Sequence, residues 1–316
     1  MSVAERYRAT SPGGIGNLGP GLDVLGCAIA GARDAVIAEW SDRPGVTVLD
    51  PGHPDLPVSA ERHTSAIAAT AVRRLVVESG ATLSAPGIAL SVRKGLPLSG
   101  GQGGSAASAV AGAAATNALL GARLDTKQLL GCCLVAEARV AGMHLDNIAP
   151  SLLGGIVLVR SIDPIDYIRL PIPTGLHLVI VHPEQRLSTS TSRQVLPSSV
   201  PLASVTHQLA QVSAMVAACF TNDLGLFGRC IDDRIAEPAR AHLLPGFNDA
   251  KRAAMDAGAL GASISGSGPT SFAVVGSVDI AAIVAAAMQE AYARSALSSE
   301  AIVTTIDEQG TLVSRA

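Results

Sequence analysis

The stretch "LPLSGGQGGSAASAVAGAAA", residues 96–115, decides the fold. Four glycines precede a serine and an alanine-rich segment: Gly100, Gly101, Gly103, Gly104 and Ser105. Because alanine has the strongest helix propensity, the pattern predicts a flexible loop that opens into a helix over 105–120. Glycine N–H groups can approach phosphate oxygens closely, and a helix N-terminus adds the positive end of its dipole. The plainer alternative is a tight turn before a packed helix, but four glycines and a hydroxyl at a helix start favour a phosphate site.

Two further glycine motifs are alternative candidates for a nucleotide or anion site. "GIGNLG", residues 14–19, fits the dinucleotide pattern G-x-G-x-x-G, with Glu39 about 20 residues further on. No apolar strand is expected to lead into it, and Pro20-Gly21 follows where a helix should begin, so an NAD site is disfavoured. "SISGSGPTSFAVV", residues 263–275, is either a hairpin turn or an anion site that includes Ser267. A Walker A motif cannot be written, since no lysine follows a glycine.

Composition narrows the class of protein. The 316 residues are 48% hydrophobic, enough to bury the core of one or two domains. A net charge of −3 and only 3% aromatic residues argue against a nucleic-acid partner. Five cysteines without a C-x-x-C pair suit a reducing compartment and disfavour a zinc site. Without an apolar leader or a membrane-length apolar segment, we expect a cytoplasmic protein with no membrane partner.

The order of predicted elements indicates an α+β fold. Strands are expected at 34–40, 45–49, 87–93, 154–160, 176–182, 262–265 and 270–275. Helices are expected at 60–79, 105–120, 126–140, 202–222, 248–257 and 279–293. Strands and helices do not alternate strictly, which argues against a doubly wound parallel sheet. The proline-spaced segment after the fourth strand predicts two domains, 1–162 and 163–316.

Three separated motifs resemble the GHMP kinases in order and spacing: "NLGPGLDVLG" at 17–26, "PLSGGQGGSAAS" at 97–108 and "ISGSGPT" at 264–270. Within that superfamily the chain resembles the homoserine kinases, through "HLDNIAPSLLGG" at 144–155, "TSTSR" at 189–193 and "EPAR" at 237–240. The resemblance implies an N-terminal ATP-binding α+β domain and a C-terminal ferredoxin-like domain. It also implies a homodimer that uses MgATP to phosphorylate the side-chain hydroxyl of L-homoserine in threonine biosynthesis.

The resemblance also implies roles for single residues. Those matched to the ATP phosphates are Gly100, Gly101, Gly103, Gly104, Ser105 and Ser267. Mg²⁺ would be held by Ser105 and Glu137. The carboxylate of the amino acid would meet Arg193, Arg240 and Thr189, and its ammonium would meet Asn17, Asp23 and Asp146. Asn147 would orient the acceptor hydroxyl, and the catalytic group comprises Asn147, Asp146 and Glu137. For Asp146 two roles remain open, a general base and a residue that only binds the substrate. His144 is interpreted as structural.

Two loop positions depart from the family pattern G-L-G-S-S-A-A. Gly104 stands where that pattern has its first serine, and Gln102 where it has an apolar residue. The nucleotide preference is therefore left open. Two alternatives also stay open: another GHMP small-molecule kinase, and a GHMP-fold sensor that binds ligand without turnover. Ser105, Glu137 and Asn147 weigh against the sensor.

Overall fold

The computed structural model describes residues 5–140 and 142–316. The first half of the chain forms, in order, β1 (Arg6–Gly16), β2 (Leu25–Ser41), β3 (Gly45–Asp50), α1 (Thr64–Glu78), β4 (Gly87–Arg93), α2 (Gly104–Leu119), α3 (Thr126–Glu137), α4 (Ile148–Leu153), β5 (Ile156–Ile162) and β6 (Ile165–Leu170).

The second half continues with β7 (His177–Pro183), α5 (Thr189–Gln194), α6 (Leu202–Thr221), α7 (Leu224–Arg229), α8 (Ala236–Arg240), a 3₁₀ turn (Ala241–Leu243), α9 (Phe247–Asp256), β8 (Gly261–Ile264), β9 (Ser271–Val275), α10 (Val278–Arg294), β10 (Ser299–Thr304) and β11 (Leu312–Arg315). No helix in the described ranges is long and apolar enough to cross a membrane.

The larger sheet has seven strands and joins both ends of the chain. Its order is β11-β1-β2-β4-β3, and the β5–β6 hairpin is attached to β2. The 17-residue strand β2 pairs with β4 through its second half and with β5 through residues 25–27. All pairs are antiparallel except β3 with β4.

The smaller sheet has the order β10-β7-β9-β8, and all of its pairs are antiparallel. When β7, β8, β9 and β10 are numbered 1 to 4 in chain order, their order in the sheet is 4-1-3-2. Helix α10 lies between β9 and β10 in the chain. This βαββαβ arrangement is ferredoxin-like. The expected two-part α+β fold is confirmed.

The hydrophobic core explains the alanine-rich helix. Thirteen of the 16 residues of α2 are buried, between α1, α3 and the large sheet. Small side chains let these helices approach closely: a Cβ on Gly112 would lie 2.4 Å from the carbonyl oxygen of Ser65 in α1. A second cluster, which includes Ile15, Leu178 and Phe272, packs the two sheets together with α6 and α7.

Strand β1 corrects one step of the sequence analysis. An apolar strand was not expected before "GIGNLG", yet β1 runs through Gly14 and Gly16. The NAD interpretation still fails, because β1 continues into a turn rather than a helix and pairs antiparallel with β2. The small residues of β1 escaped prediction since they pack against neighbouring backbone. A Cβ on Gly13 would lie 2.9 Å from the carbonyl oxygen of Gln102.

Strand pairing in the large sheet indicates where the chain divides into two domains. The expected division between residues 162 and 163 falls inside the β5–β6 hairpin, whose strands pair with each other. β11 also returns from the end of the chain to pair with β1. We therefore propose that the first domain extends to Leu170 and includes β11, with residues 171–176 as the connection to the small sheet.

Candidate active site

In the loop between β4 and α2, the carbonyl oxygens of residues 100–104 accept hydrogen bonds from other groups of the protein. The oxygen of Gly100 accepts from the Thr270 N–H (3.3 Å), and that of Gly101 accepts from the Ser265 hydroxyl (2.7 Å). The next three carbonyls accept from the N–H of Gly14, the N–H of Ala107 and the ammonium of Lys94. Because carbonyl oxygens repel anions, occupying them behind the loop leaves a surface suited to phosphate.

Two left-handed glycines shape this loop. Gly101 has φ +74° and packs on the second glycine turn, where a Cβ would lie 2.6 Å from the carbonyl oxygen of Gly268. Gly103 has φ +67° and is the N-cap of α2, without a side chain to cap the first turn. Side-chain capping normally satisfies such N–H groups, so the N-terminus of α2 is available to an anion.

A buried ion pair lies directly beneath the loop. The Lys94 ammonium contacts the Asp34 carboxylate and donates to the Ser108 hydroxyl at 3.0 Å. Asp34 also accepts from the Ser108 hydroxyl (2.6 Å) and from the N–H groups of Gly95 and Leu96. Sequence analysis missed this network, since Asp34 lies in β2 and Lys94 just after β4, with no motif to connect them. The network fixes the start of the phosphate loop.

The turn before α4 carries the acceptor-side residues. It lies on two glycines: a Cβ on Gly16 would come within 2.6 Å of Asp146 Oδ2, and one on Gly26 would overlap the Asp146 carbonyl. Asn147 donates to Asp146 Oδ2 (3.2 Å). Its Oδ1 is 3.0 Å from the position of a Cβ on Gly103. Asn147 therefore stands between the phosphate loop and Asp146.

Glu137, His144 and Asp146 form a buried charged cluster. His144 Nδ1 is 3.0 Å from Asp146 Oδ1 and 4.0 Å from Glu137 Oε1. Burial opposes charge on His144, but the hydrogen bond to Asp146 and the nearby carboxylates of Glu137 and Asp23 raise its pKa to about 9. The ring is therefore cationic at neutral pH.

Burial raises the pKa of Glu137 to about 7, and the nearby His144 cation opposes the rise. Glu137 Oε2 is buried and has no hydrogen-bond partner within the part of the chain that the structure describes. A buried carboxylate oxygen without a partner carries a desolvation cost that a cation would remove. Glu137 and the exposed Ser105 line the same cavity, and carboxylate and hydroxyl oxygens suit Mg²⁺.

Two arginines from the second half of the chain meet the loop at 17–23. Arg193 makes two contacts with the Asp23 carboxylate, of 2.5 and 3.1 Å. Arg240 is buried and donates to the carbonyl oxygens of Ser192 (3.2 Å) and Gly266 (2.9 Å). Burial and the neighbouring Arg193 lower the pKa of Arg240, and the nearby carboxylates oppose the shift.

Two smaller polar residues line the cavity beside these arginines. The Asn17 side chain donates to the Gly266 carbonyl at 3.2 Å. The Thr189 hydroxyl lies 3.4 Å from that of Ser267. The sites predicted for a carboxylate and for an ammonium are therefore adjacent.

One cavity of about 430 Å³ is lined by all of the residues to which the sequence analysis assigned a binding or catalytic role. These residues are Asn17, Asp23, Gly100, Gly101, Gly103, Gly104, Ser105, Glu137, Asp146, Asn147, Thr189, Arg193, Arg240 and Ser267. The structure brings them together from motifs as far apart as residues 17 and 267.

Lining residues without a motif were missed. They include Asp55, Leu56, Pro57, Arg62, His63, Thr64, Lys94 and Arg186. Asp55 and Arg186 come from opposite halves of the chain and pair at 2.9 Å. No sequence signal distinguishes these residues from ordinary loop residues.

Comparison with known proteins agrees with this geometry. Residues 65–155 match the family model for the GHMP kinases N terminal domain, and residues 215–294 match the GHMP kinases C terminal model. The chain is 40% identical to the homoserine kinase of Chlorobaculum tepidum, over 94% of each chain. It is 37% identical to the homoserine kinase of Arabidopsis thaliana, over 98% of this chain and 84% of that one.

Solved structures give the same result. The homoserine kinase of Cytophaga hutchinsonii superposes with a TM-score of 0.91, at 38% identity and 99% coverage of both chains. The galactokinase of Lactococcus lactis superposes with a TM-score of 0.71 at 14% identity, covering 97% of this chain and 95% of that one. At that identity the second comparison concerns the fold alone.

Proposed function

The chain belongs to the homoserine kinases of the GHMP kinase superfamily, and from this premise we propose how its cavity phosphorylates an amino alcohol. The reaction is ATP-dependent transfer of the γ-phosphoryl group to the side-chain hydroxyl of L-homoserine, which gives O-phospho-L-homoserine for threonine biosynthesis. One observation carries the proposal: the phosphate loop and the Arg193–Asp23 pair line the same cavity. A phosphate donor and a zwitterionic acceptor can therefore meet there.

The phosphate loop would bind ATP. N–H groups of residues 100–104 and of the first turn of α2 would bind the phosphates, and Ser105 and Ser267 would add hydroxyls. Phosphoryl transfer depends mainly on positioning and charge stabilisation, which a loop with preset dipoles supplies.

Ser105 and Glu137 would hold Mg²⁺. The buried oxygen of Glu137 without a hydrogen-bond partner supports this assignment. When bound, Mg²⁺ neutralises the phosphate charges. Glu137→Gln should therefore raise the Mg²⁺ concentration that half-maximal turnover requires. The affinity for Mn²⁺, measured by electron paramagnetic resonance, should fall in parallel.

The acceptor would bind with its carboxylate against Arg193, Arg240 and Thr189. Its ammonium would face Asn17, Asp23 and Asp146. This places the hydroxyl beside Asn147, which lies next to the phosphate loop. The acceptor oxygen forms a bond to the γ-phosphorus as the bond to the bridging oxygen of ADP breaks. The hydroxyl proton leaves either to Asp146 or to the transferred phosphoryl group, and the pH profile of Asp146→Asn distinguishes the two routes.

The deciding experiment is ADP release with MgATP and a panel of acceptors: L-homoserine, D-homoserine, L-serine, L-threonine, mevalonate, shikimate and galactose. We expect turnover with L-homoserine. Turnover with another alcohol alone would keep a GHMP kinase and reject the acceptor site. Saturable MgATP binding without turnover of any acceptor would favour a ligand sensor.

We further propose that the protein acts as a homodimer in the cytoplasm, on the basis of its resemblance to its relatives. Sedimentation equilibrium of the purified chain tests the dimer, and cell fractionation tests the location.

A further inference from the structure

A buried aspartate outside the cavity holds the short helix that ends in Arg240. Asp233 precedes α8, and its Oδ1 accepts from the N–H groups of Ile235 (2.8 Å) and Ala236 (3.1 Å). Its Oδ2 accepts from the N–H of Glu237 (2.8 Å). Because three N–H groups of the helix start are fixed by one carboxylate, the orientation of α8 depends on Asp233.

A glutamine on α6 joins this aspartate to the other wall of the cavity. Gln208 Nε2 donates both to Asp233 Oδ1 (2.9 Å) and to the carbonyl oxygen of Pro20 (3.0 Å). Its Oε1 accepts from the N–H of Arg234 at 3.0 Å. Gln208 and Asp233 are 8% and 6% exposed, so water competes little for these bonds. The pair forms a direct link from residues 17–23 to α8.

The loop at 17–23 needs such anchors. Asn17, Leu18 and Asp23 have φ between +46° and +69°, in the left-handed region that non-glycine residues adopt infrequently. The loop also rests on the segment before Asp233, since a Cβ on Gly19 would lie 3.0 Å from Ile231. The conformation that presents Asn17 and Asp23 is therefore supported from the side where Gln208 and Asp233 lie.

We propose that Gln208 and Asp233 are positioning residues that set the spacing between Arg240 on one wall and Asn17 and Asp23 on the other. This inference rests on the proposed function, which assigns these walls to the carboxylate and the ammonium of one amino acid. Both groups of an α-amino acid are bonded to the same carbon, so their separation is fixed. A displacement of one wall by about 1 Å therefore weakens binding of the acceptor, and misplacement on this scale can cost about 100-fold.

The phosphate loop is held by Asp34 and Lys94, which take no part in the Gln208–Asp233 link. Loosening the Gln208–Asp233 link should therefore affect the acceptor and not the nucleotide. This separation distinguishes a positioning role from a general loss of structure.

The experiment compares steady-state kinetics of Gln208→Met, Asp233→Asn and Asp233→Ala with the unmodified enzyme. The matched control is Asp223→Ala, which removes an aspartate cap from α7, a neighbouring short helix. We expect the KM for L-homoserine to rise about tenfold or more in Gln208→Met and Asp233→Ala, with the KM for MgATP within about twofold. Asp233→Asn, which keeps one carbonyl acceptor, should show a smaller increase. The control should lose thermal stability without a change in either KM.

Each result decides the matter. An unchanged KM for L-homoserine in Gln208→Met and Asp233→Asn would overturn the positioning role, whether or not Asp233→Ala folds. Equal increases in both KM values would also overturn it. Absence of L-homoserine turnover by the unmodified enzyme would instead reject the proposed function, and this inference with it.

Discussion

Arg193 and Asp23 pair through two nitrogen–oxygen contacts, 2.5 and 3.1 Å long, that connect α5 to the loop at 17–23. The proposed function assigns the two side chains to opposite ends of the same zwitterion. A bound amino acid can exchange this single pair for two, with its carboxylate at Arg193 and its ammonium at Asp23. The exchange preserves charge balance in the cavity, and a neutral alcohol cannot perform it.

The first prediction concerns this pair. Hydrogen bonds to charged groups are worth about 1.5–3 kcal/mol, so Arg193→Met and Asp23→Asn should each lower kcat/KM for L-homoserine about 10–100-fold. The KM for MgATP should stay unchanged. In the double variant the losses should fall short of the sum, because each single change also leaves the other charge unpaired. Strict additivity in this double-mutant cycle would contradict the exchange.

The second prediction tests the departure of the phosphate loop from the family pattern. A Cβ on Gly104 would meet the nearest atoms at 3.4 Å, an ordinary contact. Gly104→Ser should therefore fold normally and lower the KM for ATP through one added hydroxyl. Gly101→Ala is the contrasting change: φ is +74°, and the Cβ would lie 2.6 Å from a carbonyl oxygen. It should lower both the melting temperature and kcat, and normal activity in Gly101→Ala would refute the loop geometry.

The third prediction concerns the buried pair of Asp34 and Lys94. Lys94→Met leaves the Asp34 carboxylate buried without its cation, which typically costs about 3–5 kcal/mol in the free energy of unfolding. The double variant Asp34→Asn with Lys94→Met should recover part of that loss. Urea denaturation measures both. Equal stability of the single and double variants would show that the charge of Asp34 has no such cost.

A fourth prediction links stability to pH. Burial lowers the pKa of His63 below 6.5, helped by the Lys94 cation, while the bond to the Pro51 carbonyl and the Asp34 charge oppose the shift. As pH falls through 6.5, His63 is therefore protonated in the unfolded chain before it is protonated in the folded chain. From pH 7 to pH 5.5 this group lowers the free energy of unfolding, whereas Glu137 and His144, whose pKa values are raised, increase it. His63→Gln removes the lowering contribution, so its free energy of unfolding at pH 5.5, relative to that at pH 7, should be higher than that of the unmodified protein. The more exposed His53→Gln is the control, and equal slopes for both variants would contradict the prediction.

A fifth prediction concerns the thiols. All five cysteines are buried, and burial raises the pKa of Cys27 and Cys219 to about 12 and that of Cys132 to about 11. Because the thiolate is the reactive form, iodoacetamide should not modify the folded protein at pH 7.5. Mass spectrometry before and after addition of urea measures this. Rapid labelling of the native protein would indicate that a thiol is accessible.

Local sequence patterns predicted much of the fold. The alanine-rich run gives α2, which begins at Gly104 where the analysis expected Ser105, and the strand at 87–93 has the bounds of β4. The six predicted helices all exist, because helix propensity and apolar spacing both act within one segment. Four strands escaped prediction: β1, β6, β10 and β11. β1 is rich in glycine and polar residues, and the four residues of β11 are all exposed. Their extended form depends on pairing with strands distant in sequence.

The candidate site, like the fold, is predicted only in part by local sequence patterns. The glycine turns and the motifs that resemble the homoserine kinases indicated many of the residues that line the cavity, but not those without a motif, such as Asp55 and Arg186. Only the tertiary structure joined Lys94 to Asp34 and Gln208 to both Asp233 and Pro20. These side chains have ordinary local contexts, and their partners lie 25 to 188 positions away in the chain. Backbone preferences act between near neighbours, whereas buried charges and amides find partners only when the core has closed.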